Sequence, residues 1–153
     1  MNHKNHQLPT NPNMPILHII NGPNLNLVGK REPTIYGNQS FEEFIIFLEK
    51  KYPTISIYYF QSNHEGEIID KIHEIGYDET TKILLNAGAY SHTSIAIADA
   101  VRAITAPVVE IHISNTAARE AYRHHSYISE VSIGTITGLG LKGYELGIQY
   151  FSE

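Results

Sequence analysis

Within the apolar run PVVEIHIS (107–114), Glu110, His112 and Ser114 stand two residues apart. Alternate side chains of an extended strand share a face, so these three point one way and Val109, Ile111 and Ile113 the other. A parallel strand covered on both sides is ordinarily apolar on both, which makes the polar face a local rule broken, as at functional sites. A carboxylate beside an imidazole can hold one ring nitrogen, fix the tautomer and leave the other nitrogen for acid–base chemistry. An exposed edge strand would produce the same alternation.

Other groups with chemical potential lie close by in the chain. The spacing predicts a short polar helix over 117–125, with Arg119 and Arg123 at i and i+4 on one face. Two guanidinium forks together suit an anionic substrate; a solvated face with Glu120 as surface partner fits the same pattern. In SHTSIAIADAVRAI, His92 and Asp99 are seven residues apart, the spacing of a shared helical face. Asp99, set between alanines, pairs equally well with Arg102 at i+3. A third group is GKREPTIYG (29–37), a stretch with two adjacent cations, a proline and a tyrosine in no apolar pattern. It lies in a connection of roughly twenty residues, where about 2–6 would join a strand to a helix.

The elements that must position these groups alternate along the chain. Apolar, β-branched runs at 16–20, 56–62, 82–86, 107–114 and 131–137 read as strands. Helical patterns follow at 40–52, opened by the capping pair Ser40 and Glu43, at 66–76, stopped by Gly76, at 93–104, and at the end of the chain near Phe151. Five βα units predict an α/β fold, a flavodoxin-like doubly wound five-stranded parallel sheet in a three-layer α/β/α sandwich. Ligands bind such sheets outside the carboxyl ends of the strands. Those ends read NGPNLN, QSNHE, NAGAYSH and EIHISN, all rich in hydrogen-bonding side chains.

The bulk composition narrows the function classes. The 153 residues, 42% hydrophobic and 18% charged, predict one domain with a proper core. Residues 1–15, rich in Asn, His and Pro, read as a mobile tail, and 16–153 as a single domain. A net charge of −5 argues against nucleic acid or an anionic membrane surface as partner. The sequence has no cysteine, which excludes disulfide and thiol chemistry and fits a cytoplasmic protein. No apolar run approaches the ~18 residues of a membrane span. GLGLKG (138–143) matches a dinucleotide fingerprint, but that motif needs a following strand with an acidic residue, and only ten residues come after Gly143. Its glycines are expected to serve close packing. The nine histidines show no HExxH or comparable ligand spacing, so no metal is expected.

Taken in order and spacing, INGPNLNLVGKREPTIYG, LLNAGAYSHTSIAIADA, VVEIHISN with RE and RHHS, and GLGLKGY resemble the type II 3-dehydroquinases (3-dehydroquinate dehydratases) from Ile16 to about Phe151. The resemblance implies a shikimate-pathway lyase that removes water from 3-dehydroquinate by anti elimination through an enolate, with no cofactor or metal. It implies Tyr36 as the base, with Arg31 and Arg119 beside it, His112 as the acid and Glu110 as its orienter. Asn24 would hold a water at the enolate oxygen. Asn86, Ser114 and the Ile113 backbone would position the substrate and its carboxylate, while His92 and Arg123 meet its hydroxyls. Asp99 would reach a neighbouring subunit's site in a homo-oligomer, a dodecamer built from trimers. The other reading of the same strand ends is a non-catalytic flavodoxin-like binder of a small polyol acid. Such a binder has no use for a tyrosine flanked by cations or for the Glu110–His112 pairing.

The tyrosine base is energetically reasonable. Free Tyr ionises near pH 10, and bringing that to roughly 7.5 requires about 3.4 kcal/mol. One cation at ~4 Å in an effective dielectric near 20 supplies about 4 kcal/mol before desolvation.

Overall fold

The computed structural model describes residues 14–30, Thr34 and residues 38–153. Five parallel strands, β1 (Ile16–Asn21), β2 (Ser56–Gln61), β3 (Thr81–Asn86), β4 (Val108–His112) and β5 (Gly134–Thr137), form one sheet in the order β2-β1-β3-β4-β5. The order reverses between β1 and β3, whose last residues Asn21 and Asn86 are register partners. This is the doubly wound arrangement expected from the alternating elements, with its crevice at the carboxyl ends beside the switch point.

Among the described residues, four helices cover the two faces. Helix α1 (Phe41–Lys51) starts with the expected capping box: Ser40 accepts from the Glu43 N–H while the Glu43 carboxylate accepts from the Ser40 N–H. It buries Phe41, Phe44, Ile45 and Leu48, an i, i+3, i+4, i+7 stripe. With α4 (Lys142–Ser152) it packs on Leu17, Ile19, Leu84, Val109 and Ile111. Helices α2 (Glu65–Ile75) and α3 (Ile95–Ala103) cover the opposite face, on Ile20, Ile83, Leu85 and Val108. The alternation of apolar residues along β3 and β4 thus feeds two separate cores, each closed by a helix pair.

Three details differ from the sequence reading. β4 is an interior strand with all five residues buried, so the edge-strand explanation of its polar face does not hold. The edge strands are β2 and β5, and β5 is shorter than predicted because residues 129–131 form a 3-10 turn and pairing starts only at Gly134. Residues 117–125 are not an α-helix; Arg119 follows a 3-10 turn at Thr116–Ala118 as its C-cap, and Arg123 ends a second at Ala121–Arg123. Asn115 caps the first turn by accepting from the Ala117 N–H, a local bond that competes with helix continuation. The readings made on residues 1–13, on Arg31 and on Tyr36 lie outside the described residues.

Candidate active site

The cavity lies at the carboxyl ends of β1, β3 and β4, and tight backbone contacts set its floor. A Cβ on Gly22 would fall 2.4 Å from the Ala87 carbonyl oxygen, so only glycine lets the two strand ends close together there. The Gly22 N–H then donates to the Asn86 carbonyl at 2.7 Å. Two residues on, Asn24 takes a left-handed conformation (φ 67°) and lines the cavity. It is the one non-glycine in that region among the described residues, in keeping with the tolerance of Asn for this region.

Below the cavity, Tyr144 of α4 stands fully buried between two strand ends. Its hydroxyl donates to Asn21 Oδ1 at 2.8 Å and accepts from Asn86 Nδ2 at 2.9 Å. The Asn86 Oδ1 in turn accepts from the Gly88 N–H at 3.1 Å. Burial pushes the Tyr144 phenol well above its ordinary range, despite the bonds it makes with Asn86 and Asn21, so it stays neutral and acts as a fixed donor and acceptor.

The polar face of β4 is built as a charged relay. Glu110 is completely buried, and its carboxylate accepts from His112 Nε2 at 2.8 Å. Ser126 (2.5 Å), Ser129 and Thr135 (3.3 Å) add three hydroxyl donors. The two serines come from the segment 126–132, whose Ile128 and Val131 join the α2/α3 core, while Thr135 is the cross-strand neighbour of Glu110 on β5. Desolvation raises the Glu110 pKa, but the bonds from His112, Ser126 and Ser129 outweigh it and hold the carboxyl below its ordinary value. Since a carboxylate only accepts, His112 carries hydrogen on Nε2 and keeps Nδ1 for whatever occupies the cavity it lines.

A second imidazole stacks on the first, ring centroids 5.8 Å apart. His92 ends the 3-10 turn Gly88–His92, and its Nδ1 donates to the His125 carbonyl at 2.7 Å. That bond leaves Nε2 as an acceptor. Burial lowers the His92 pKa, and His112 and Arg123 lower it further, against the raising effect of the His125 carbonyl. The ring is neutral near pH 7, suited to receive a hydroxyl hydrogen.

Arg119 and Arg123 both line the cavity, their side chains about three-quarters buried. Glu120 pairs with Arg123 at 2.8 Å and with Arg119 at 3.7 Å. The two readings of this pair therefore merge: the cations face the cavity, and Glu120 is their acidic partner. Arg119 also donates to the Ser114 hydroxyl at 3.4 Å. Ile113 buries its side chain in the α1/α4 core, so main chain is what it offers the cavity. Among the described residues, no three His, Asp or Glu side chains gather as metal ligands would.

Comparison with known proteins is decisive on kinship. The family model described as Dehydroquinase class II matches residues 15–152. The chain belongs to the class II dehydroquinase family. A 3-dehydroquinate dehydratase of Maricaulis maris is 51% identical over 134 residues, covering 86% of this chain and 91% of that one. A catabolic 3-dehydroquinase of Talaromyces marneffei is 49% identical over 140 residues, covering 90% and 79%. The crystal structure of the type II dehydroquinase of Butyrivibrio crossotus superimposes with a TM-score of 0.87 at 42% identity, covering 92% of this chain and 99% of that one.

Within this class II dehydroquinase, eight of the residues singled out in the sequence meet at the cavity: Asn24, Asn86, His92, His112, Ile113, Ser114, Arg119 and Arg123. Glu110 stands directly behind His112. Asp99 does not join them. His92 and Asp99 share no helical face, because the 3-10 turn ends at His92 before α3 begins, and Asp99 is exposed and paired with Arg102 at 2.5 Å. Ser126 and Tyr144 stood in the quoted runs RHHS and GLGLKGY without being given a role, and Ser129 and Thr135 went unnoticed in the sequence. Thr135 could have been found from strand register; nothing local marks the two serines. The glycines of GLGLKG do more than pack: the Gly138 and Gly140 N–H groups donate to the His112 and Ile113 carbonyls at 3.1 and 3.0 Å. Both glycines have positive φ, and the loop clasps the end of β4.

Proposed function

We propose that this class II dehydroquinase converts 3-dehydroquinate to 3-dehydroshikimate in the shikimate pathway, by anti elimination of water through an enolate. The observation that carries the proposal is His112, gripped at Nε2 by a buried, fully bonded Glu110 and lining a cavity walled by Arg119 and Arg123. Membership of the family, and relatives named 3-dehydroquinate dehydratase at about half identity, support it.

The reaction starts with a proton alpha to a ketone, which needs a strong base. Tyr36, as tyrosinate, takes that proton, and Arg31 and Arg119 favour its ionised form; the family resemblance assigns these roles. The electron pair moves to the ketone oxygen, where a water held by Asn24 meets the developing charge. The enolate then collapses, the carbon–oxygen bond beta to the carbonyl breaks, and His112 Nδ1 gives its proton to the departing hydroxyl. Glu110 stabilises the imidazolium that precedes this transfer. Asn86, Ser114 and the Ile113 main chain hold the substrate carboxylate, with His92 and Arg123 on its hydroxyls.

Asp99 acts in a neighbouring subunit's site in this reading, within a dodecamer of trimers. Ile95 on the same helix and Ile133 are each more than half exposed, as surfaces meeting another subunit would be in an isolated chain. The absence of cysteine in the sequence fits a cytoplasmic location.

The deciding experiment follows the ultraviolet absorbance of the conjugated enone product with wild type, Tyr36→Phe and His112→Ala. Each variant should lose about a hundred- to ten-thousandfold in kcat. Wild-type turnover in Tyr36→Phe would end the base assignment, and in His112→Ala the acid assignment.

A further inference from the structure

QSNHE, at the end of β2, holds none of the residues given a role in the reaction, yet two of its side chains reach the cavity's most unusual backbone. The N–H of Asn24, the residue at φ 67°, donates to Asn63 Oδ1 at 3.0 Å. Gln61 Nε2 donates to the same oxygen at 3.1 Å and to the Gly22 carbonyl at 3.1 Å. Asn63 is itself anchored, because the Tyr90 hydroxyl donates to its carbonyl at 2.9 Å. The left-handed turn that presents Asn24 thus has an acceptor just past β2 waiting for its N–H, and that acceptor is held from two sides.

We infer that Asn63 is a positioning residue for the reaction: its side-chain oxygen locks the Asn24 turn and so sets where the Asn24 carboxamide stands in the cavity. Asn63 does not line the cavity and acts only through Asn24. The inference rests on the part Asn24 is proposed to play at the enolate oxygen. A displacement of about 1 Å in such a group is enough to cost orders of magnitude in rate. Because the water held by Asn24 matters most once charge develops, losing the lock weakens the transition state more than the bound substrate.

The test is a double-mutant cycle with 3-dehydroquinate on the full chain. Asn63→Ala should lower kcat about tenfold or more while KM stays within about threefold and the unfolding midpoint is unchanged. Asn63→Asp keeps an acceptor oxygen in place and should restore most of that loss. In an Asn24→Ala background, Asn63→Ala should cost nothing further. Wild-type kcat in Asn63→Ala, or a double mutant that shows the product of both single losses, overturns the inference. If Asn63→Ala does not fold, Asn63→Ser takes its place in the same cycle. Wild-type kcat in Asn24→Ala is a different result: it removes Asn24 from the reaction, and the inference falls with it.

Discussion

At the scale of single residues, the critical device is a carboxylate that receives four hydrogen bonds and is closed off from solvent. Glu110 is ionised in the fold because His112, Ser126, Ser129 and Thr135 all donate to it. Glutamine in its place offers one acceptor oxygen and turns an N–H toward a hydroxyl. Glu110→Gln should therefore destabilise the protein by about 1–3 kcal/mol at pH 7 and slow turnover. Because the folded carboxyl titrates below the ordinary value of 4.5, its contribution is present above that pH and is lost as pH falls through the folded pKa. Urea unfolding of both proteins at pH 7 and below pH 4.5 checks this. The gap should narrow at the lower pH, and a constant gap would mean that the carboxylate charge plays no part.

At the scale of elements, the site depends on how closely strand ends and helices approach. Gly22→Ala would drive a methyl into the Ala87 backbone, which cannot rotate away as a side chain can. The expected loss is about 2 kcal/mol or more, with reduced activity, since Asn24 and Asn86 flank the contact. Leu48→Ala, under α1 and far from the cavity, should cost about 2–5 kcal/mol and leave KM unchanged in the folded fraction. Denaturant midpoints set beside steady-state kinetics separate the two cases. A Gly22→Ala protein of wild-type stability would show that the strand ends can move apart freely.

At the scale of the whole molecule, one half-buried titratable group lies away from the cavity. His18 on β1 stacks on Tyr58, ring centroids 5.0 Å apart. Burial, and to a lesser degree Lys71, lowers its pKa from 6.5 to about 4, against the opposing pull of Glu74 and Asp78. Between those two values the unfolded chain binds a proton that the folded one refuses, so stability is full above pH 6.5 and falls as pH drops toward 4. The loss from this group reaches about 3 kcal/mol at most. His18→Phe, which keeps an aromatic ring against Tyr58, should flatten the stability profile across that window. An unchanged slope would place the acid sensitivity elsewhere.

What was legible in the sequence follows from how local each signal is. Strand alternation placed Glu110 and His112 on one face because a pleated strand has a period of two, whatever its surroundings. The capping box of α1 needed only four consecutive residues. The Arg119–Arg123 pair was recognised, but its helix was not formed: Asn115 and the turns it starts won over helical spacing, and the arginines reach the cavity from two separate turns. His92 and Asp99 were joined by the same assumption of one continuous helix, and the structure separates them.

By itself, then, the sequence determined the order of the five strands and the four α-helices that form, the parallel doubly wound sheet, the family and most of the residues at the cavity, because each of these is written in short-range spacing or in recognisable runs. Only the tertiary structure decided which hydroxyls surround Glu110, that Tyr144 bridges Asn21 and Asn86, and that Asn63 holds the Asn24 turn. Those contacts join side chains up to 123 positions apart. They depend on strand register and on where covering segments cross the sheet, and neither leaves a mark in the residues nearby.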